Sequence, residues 1–294
     1  MSDQAFDSPA PLARSSIFDG LRRVLAEPLG AFGLALVLLV IFGAVFADVL
    51  TSYNPIKLSL PNRFLGPSFE HLLGTDQLGR DLFARVLFGA RIALWVALVS
   101  ISISFVGGLI LGMLAGYGPR WLDSFLILIF DAVRSFPTVM FALALVTLIG
   151  PSLGAVVIVV VIATLPAYAR IVRTQTLSLK TAEFVLSARS IGAPTWRILA
   201  THVMPNLVGP LLILVSMDIP VVITIEAGMS FLGLGVRPPT PSWGSILNDG
   251  FANIRQSPWA AIAGGLPIIV ATLGFTFLGE TLRDTFDPRL RKEG

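Results

Sequence analysis

Long uncharged stretches recur along this chain of 294 residues. No Asp, Glu, Lys or Arg occurs in residues 28–47, 92–119, 135–169, 198–217 or 256–279. A helix needs about 20 apolar residues to cross the hydrocarbon core of a bilayer, so each stretch is long enough to span it. The third stretch is too long for one helix, and Gly150, Pro151 and Ser152 predict a turn near its middle. The pattern therefore predicts six membrane-spanning helices.

The predicted spans divide the chain into a helical bundle and polar connections. The spans are residues 29–48, 93–116, 135–149, 153–172, 206–231 and 260–280. They leave an N-terminal segment 1–28, a first long loop 51–91, a second loop 181–205 and a tail 284–294. Before the third span, Trp121–Phe136 mixes charged and apolar residues. This segment is predicted to lie along the membrane surface or to enter the membrane at a slant.

Composition supports a membrane protein. Hydrophobic residues make up 54% of the chain and charged residues 13%, whereas soluble domains carry about a quarter charged residues. The mean hydropathy is +0.82 and cysteine is absent. These values exclude a soluble enzyme, a disordered chain and a disulfide-rich secreted domain. The fold class is predicted to be all-α, a multi-pass integral membrane protein.

The distribution of basic residues predicts the orientation. With both termini cytoplasmic, 14 of the 21 Lys and Arg residues fall on the inner side and seven on the outer side. Cytoplasmic loops carry an excess of Lys and Arg, so this orientation is favoured over its inverse. It makes 51–91 periplasmic and 181–205 cytoplasmic. The basic residues form no single patch, so nucleic acid is not an expected partner.

Three glycines repeat every fourth position in the second span, at Gly108, Gly112 and Gly116. They line one helical face without side chains, which allows a neighbouring helix to approach closely. Glycine is also simply common in membrane helices, so both interpretations remain open at this stage.

The first long loop ends in a patterned segment, His71 to Asp81, followed by Leu82 to Arg91. Gly74 and Gly79 allow tight turns, and Thr75 or Asp76 could cap a short amphipathic helix over 82–91. This helix is predicted to pack on the bundle at the interface. Direct contact with a substrate is the alternative.

The second loop is predicted to fold into two short helices. Thr181 can cap the first helix, whose first turn holds Glu183, and Gly192 can end it. Pro194 can start a second helix that continues to a break at Pro205. Such a compact knob is either a surface for docking a partner or a helical hairpin that lies on the bilayer. The exposed candidates include Phe184, Ser187, Ala188 and Ile191.

The end of the fifth span has a third pattern, Glu226 to Gly244. Three prolines between positions 238 and 241 cannot continue a helix, so an ordered outer loop is expected there. Trp243 and Trp259 are expected at the outer interface, where aromatic rings favour the headgroup level.

Three motifs in this order, HLLGTDQLGRD, EFVLSARSIGAPTWRILATHVMPN and SFLGLGVRPPTPSWG, carry a family resemblance. The chain resembles the C-type permease subunits of bacterial ABC importers for dipeptides, oligopeptides and nickel, from about residue 20 to 291. The middle motif is similar to the EAA loop, which seats in a cleft of an ATPase subunit. Leu186 and Ser187 depart from that pattern, where Glu and Ala are usual, whereas Ala188 and Gly192 match it.

The resemblance implies a type I ABC importer permease fold in the bacterial inner membrane. It implies a homologous permease partner, two ATPase subunits that bind ATP and Mg²⁺, an external substrate-binding protein and surrounding lipid. The implied ATPase-docking residues are Glu183, Phe184, Leu186, Ser187, Ala188, Ile191 and Gly192. Outer-loop residues that contact the binding protein or lie near the gate are expected to be Asp76, Arg80, Arg237 and Trp243.

The chain lacks sequence motifs for nucleotide binding and for a metal site. It contains no Gly-Lys dipeptide and hence no P-loop for nucleotide phosphates. Its two histidines, His71 and His202, are predicted on opposite sides of the membrane and could not share a metal ion. No cofactor bound by this chain and no enzymatic activity are therefore expected.

Carboxylates inside spans suggest a different energy source. Asp218 and Glu226 lie in the fifth span, and ion-coupled transporters place ionisable residues there. Asp218, together with Met229, is a candidate for the translocation path, but Asp218 could equally pack against a neighbouring subunit. The alternative functions are an ion-gradient-driven secondary transporter or channel and, less favoured, a membrane scaffold.

Overall fold

The computed structural model describes residues 24–286, with side chains to residue 285, and this part of the chain is built from helices. They are α1 Pro28–Val45, α2 Leu82–Tyr117, α3 Arg120–Ser135, α4 Thr138–Ile149, α5 Leu153–Leu179, α6 Glu183–Ser190, α7 Thr195–Ile198, α8 Met204–Phe231, α9 Trp243–Ala252 and α10 Trp259–Phe286. The all-α prediction is confirmed. Most of the predicted terminal segments, 1–28 and 284–294, lies outside the described residues.

Five helical segments in the described part are long and apolar enough to cross a membrane: α1, α2, α5, α8 with its preceding turn, and α10. The described residues also contain one bent pair, α3 and α4, which meet at 92° and pass the same test only together, so the count is five or six. The predicted third span, 135–149, needs correction here. With 12 residues α4 is about 18 Å long and cannot cross a core of about 30 Å without α3. The break falls at Phe136 because a residue before proline avoids the helical conformation.

Two other predicted boundaries were wrong for local reasons. The expected interfacial helix over 82–91 is the first part of α2, which runs unbroken for 36 residues. Its N-cap is Asp81, whose carboxylate accepts a hydrogen bond from the Ala84 amide at 2.7 Å, and not Thr75 or Asp76. Pro205 is no break, because it lies in the first turn of α8, where its missing N–H is not needed.

The two ends of the bundle are defined by their connections. Lys180 Nζ donates to the Tyr117 carbonyl at 3.2 Å, so α2 and α5 end together beside α6 and α7. The tight contact of Gly33 with Leu278 brings the start of α1 and the end of α10 to this same end. We call it the knob end, and the opposite end, where loops 51–81 and 232–242 meet α9, the loop end.

A glycine face joins α2 to α5. A Cβ added at Gly112 would lie 2.5 Å from Val172 Cβ, and one added at Gly116 would lie 2.7 Å from Thr176 Cβ. Nearer the loop end, the buried hydroxyls of Ser104 and Thr164 are hydrogen bonded at 2.7 Å. Helices in lipid associate through close packing at small residues and through such hydrogen bonds. The close-packing interpretation of the glycine repeat is confirmed.

We predict that Gly112→Ala destabilises the bundle by about 1–3 kcal/mol, because the added methyl group overpacks the α2–α5 contact. Gly209→Ala in α8 is the matched control, since nothing lies within 4 Å of a Cβ at that position. Thermal unfolding of the two purified variants in detergent measures the difference. Equal melting temperatures would contradict the assignment of this contact.

Candidate functional site

The knob, residues 183–203, is seated firmly on the bundle. Val185 and Ala188 of α6 are buried, and they join Ile198 and Val203 in the main hydrophobic core. Leu207 of α8 belongs to the same core. The knob therefore packs as an extension of the bundle. Ala188 is 7% exposed, so the expectation that it is presented on the knob surface is wrong, whereas its docking role stays a prediction.

The rest of the knob surface is exposed and includes four large apolar side chains. Ile191 is 85% exposed and Trp196 71%, and Phe184 and Leu186 are each close to half exposed. Glu183, Ser187 and Gly192 are also exposed. Six of the seven predicted docking residues thus share the accessible surface. An element that packs on one side and exposes several large apolar side chains is a candidate protein interaction site.

Backbone geometry at Gly192 shapes this surface. Gly192 has φ +79°, which side-chain-bearing residues rarely adopt, and the space around it is open. The Ala193 amide donates to the Ala188 carbonyl at 3.1 Å and closes the end of α6. The predicted stop at Gly192 is confirmed. Thr181 does not cap α6, because its hydroxyl donates to the Ser178 carbonyl at 2.9 Å and closes the end of α5 instead.

A buried charge cluster lies at the loop end. Arg80 Nε donates to Asp76 Oδ2 at 2.6 Å, and Arg85 Nη1 contacts the same oxygen. Asp249 of α9 also accepts from both arginines, at 3.2 Å from Arg80 and 3.3 Å from Arg85. Arg85 and Asp249 were not identified from the sequence. The cluster ties the first long loop, α2 and α9 together.

Asp76 also organises its own turn. Its Oδ1 accepts hydrogen bonds from the amides of Leu78 at 2.8 Å and Arg80 at 3.0 Å. Gly79 has φ +71° and packs directly on the Ser59 backbone. Asp76 and Arg80 are 1% and 5% exposed, so the expectation of a direct surface contact with the binding protein is corrected. The alternative, a position near the gate, stays a prediction. They bind each other because a buried charge is stable only when it is paired.

Trp243 requires the same correction. It is fully buried against Gly89, and its indole Nε1 donates to the Val86 carbonyl at 2.9 Å. It therefore anchors the start of α9 to α2 and does not lie at a lipid interface. Of the four outer-loop candidates, Arg237 alone is exposed, and its guanidinium lies against Gly150 in the α4–α5 turn.

The carboxylates of α8 lie in different surroundings. Asp218 is partly buried and close to the Tyr168 hydroxyl of α5, which makes no hydrogen bond. Glu226 is fully buried, and Ser230 Oγ donates to its Oε1 at 2.8 Å. Met229 is 5% exposed and packs in the main core, so in this chain it lines no open surface.

The sequence of the chain matches a known family of transport proteins. Residues 108–292 match the inner-membrane component of binding-protein-dependent transport systems. The chain belongs to this family. The permease is thus the membrane subunit of an ABC importer with the type I fold, a class that works with ATPase and substrate-binding components. The matched region includes the knob and the whole of α8, α9 and α10.

Full-length relatives support this assignment. The permease is 35% identical to a dipeptide transport system permease protein of Alkalihalophilus pseudofirmus, over 93% of this chain and 90% of the relative. It is 40% identical to a glutathione transport system permease protein of Pectobacterium atrosepticum, over 92% and 89%. A di/tripeptide transport system permease protein of Pseudomonas aeruginosa is 35% identical, over 99% and 96%.

We predict that Asp76→Asn costs the permease about 3–5 kcal/mol of stability, because two buried guanidinium groups lose their shared carboxylate. Asp48→Asn is the control. Asp48 pairs with Arg91 at 2.6 Å, but the two side chains are 68% and 35% exposed, and such a pair is worth about 0–1 kcal/mol. Thermal unfolding in detergent compares the variants. A loss at Asp48 as large as that at Asp76 would contradict the structural role of the cluster.

Proposed function

We propose that the permease imports peptides or related small solutes as one half of a pair with a homologous permease chain. Two ATPase subunits, which bind ATP and Mg²⁺, drive the cycle from the cytoplasmic side. A soluble binding protein delivers cargo to the loop end from outside. The names of the full-length relatives support peptides as the cargo class.

The exposed apolar face of the knob carries this proposal. Phe184, Leu186, Ile191 and Trp196 protrude from an element whose other face is packed into the core. A helical hairpin that only lies on the bilayer would not need to pack one of its faces into the hydrophobic core. A partner that binds this face can instead move the knob as a solid body, and the energy of ATP hydrolysis can then reach the membrane helices.

Two helices transmit that movement. The knob follows the end of α5 and leads directly into α8, which extends to the loop end. At the loop end, Gly244 at the start of α9 packs on the backbone of Ala227, so α8 and α9 move together. Displacement of the knob would therefore change the arrangement of both ends. Alternating access results if the ATPase subunits bind one of the two arrangements more tightly.

Replacement of Ile191 by Asp tests the coupling role. We expect ATP-driven uptake in reconstituted vesicles to fall at least about tenfold, because a charge in the docked apolar face loses the burial energy of an anchor residue. Ile254→Asp is the control, since Ile254 is 47% exposed but lies at the loop end. Normal uptake by Ile191→Asp would refute docking at the knob. Ion-driven uptake by vesicles that contain this chain alone would favour a secondary transporter.

The proposed orientation can be tested with single cysteines, because the natural chain contains none. A membrane-impermeant maleimide should label Ser187→Cys only from the cytoplasmic side and Thr240→Cys only from the outside. Both positions are exposed in the structure. The reverse labelling pattern would overturn the orientation and the location of the ATPase subunits.

A further inference from the structure

A polar cavity of about 270 Å³ opens at the loop end of the bundle. The segment 232–242, α9 and the turn after Thr75 enclose it, and Pro151 of the α4–α5 turn closes one side. Its polar lining includes Gln77, Arg80, Arg85, Arg237, Asn248 and Asp249. It differs from a groove of about 520 Å³ that is lined almost entirely by apolar side chains of α1, α2, α8 and α10.

Hydrogen-bond donors are in excess in this cavity. The guanidinium groups of Arg80 and Arg85 carry about ten N–H donors between them. Their side-chain hydrogen bonds to Asp76 and Asp249 number four. Arg85 is 2% exposed, and its Nε is buried without a hydrogen-bond partner. A ligand with acceptor oxygens would satisfy donors that the protein itself leaves unused.

The charges around the cavity are also unequal. Arg80 and Arg85 are balanced by Asp76 and Asp249. Arg237 adds a third cation and forms no ion pair with any residue from 24 to 285. It is exposed, whereas Arg80 and Arg85 are buried. The cavity thus carries one net positive charge, and the accessible part of that charge is a guanidinium group.

We propose that this cavity binds the carboxylate of an Asp or Glu side chain on the soluble protein that delivers cargo to the permease. The inference rests on the proposed function, and it assigns Arg237 as the residue that receives the carboxylate. A guanidinium group binds a carboxylate through two parallel hydrogen bonds, which fixes orientation as well as charge.

The size of the cavity favours a side chain over a complete cargo molecule. Pockets that enclose small molecules have volumes of about 300–1,000 Å³, and this cavity is smaller. It is also formed entirely by segments at the loop end, where a soluble partner would dock. A protein side chain needs to insert only its carboxylate and the adjoining methylene groups.

Equilibrium binding tests the assignment on the complete transporter in lipid nanodiscs. The probe is the purified substrate-binding protein of the same transporter, loaded with peptide. We expect Arg237→Glu to weaken its binding at least about tenfold and Arg237→Gln to weaken it less, because only the first variant repels a carboxylate. The salt dependence of binding should also decrease in Arg237→Gln, because one screened attraction is lost. Arg255→Gln is the matched control, as Arg255 is exposed at the loop end but outside the cavity.

A charge swap identifies the partner residue. Individual Asp and Glu residues of the binding protein are replaced by Lys, and one of these variants should restore binding to Arg237→Glu. Unchanged binding by Arg237→Glu would overturn the inference while leaving the proposed function intact. Weakening that disappears when the cargo peptide is amidated at its C-terminus would also overturn it, because the carboxylate would then belong to the cargo. If no binding protein engages the wild-type transporter, the proposed function itself fails.

Discussion

The close contact between α2 and α5 is the constraint on which the other features depend. Water is absent from the hydrocarbon core, so two helices gain little by burying apolar surface against each other and must associate by packing closely. Glycines at three successive turns of α2 allow that packing along the half of the helix nearer the knob end. Because both helices extend from the loop end to the knob end, their fixed register sets where the knob emerges and where the loop-end cluster closes.

The loop end uses a different source of stability. There the chain leaves the regular helices, and buried charges hold its irregular segments in addition to apolar contacts such as those of Trp243 and Leu82. Asp76 accepts hydrogen bonds from its own turn and from two arginines, so one carboxylate organises the loop and also attaches it to α2. The cluster thus holds the first long loop, α2 and α9 together at this end of the bundle.

Much of the fold could be predicted from the sequence, because uncharged stretches long enough to cross a bilayer have few alternatives. The helix stop at Gly192 and the glycine face of α2 were also readable, since each depends on local backbone geometry. The bend between α3 and α4 was only partly predicted. The separate segment Trp121–Phe136 was predicted from its mixed charged and apolar residues. The ion pairs of Asp123 with Arg173 and of Asp131 with Arg170, which tie α3 to α5, depend on tertiary packing.

The site was harder to predict for the same reason. Asp76, Arg80 and Trp243 were recognised as unusual, but their pattern did not reveal that they are buried. That depends on Asp249, which lies more than 160 residues along the chain from Arg85. Ala188 was wrongly expected on the exposed surface, because a short helix has one buried and one exposed face and the loop sequence alone did not indicate which face meets α8. For Arg85, the available sequence signal of a special role was its charge, because charged residues are few in this chain.

The turn of π-helix at Leu199–Val203 joins α7 to α8 without a break, so the segment Thr195–Phe231 is one continuous rod of 37 residues. Such a rod is roughly 55 Å long, and a tilt of about 5° at one end displaces the other by roughly 5 Å. Pro210 and Pro220 interrupt its backbone hydrogen bonds at two points, where bending is easiest. Bending at these two points would allow the knob end and the loop end of the rod to move relative to each other.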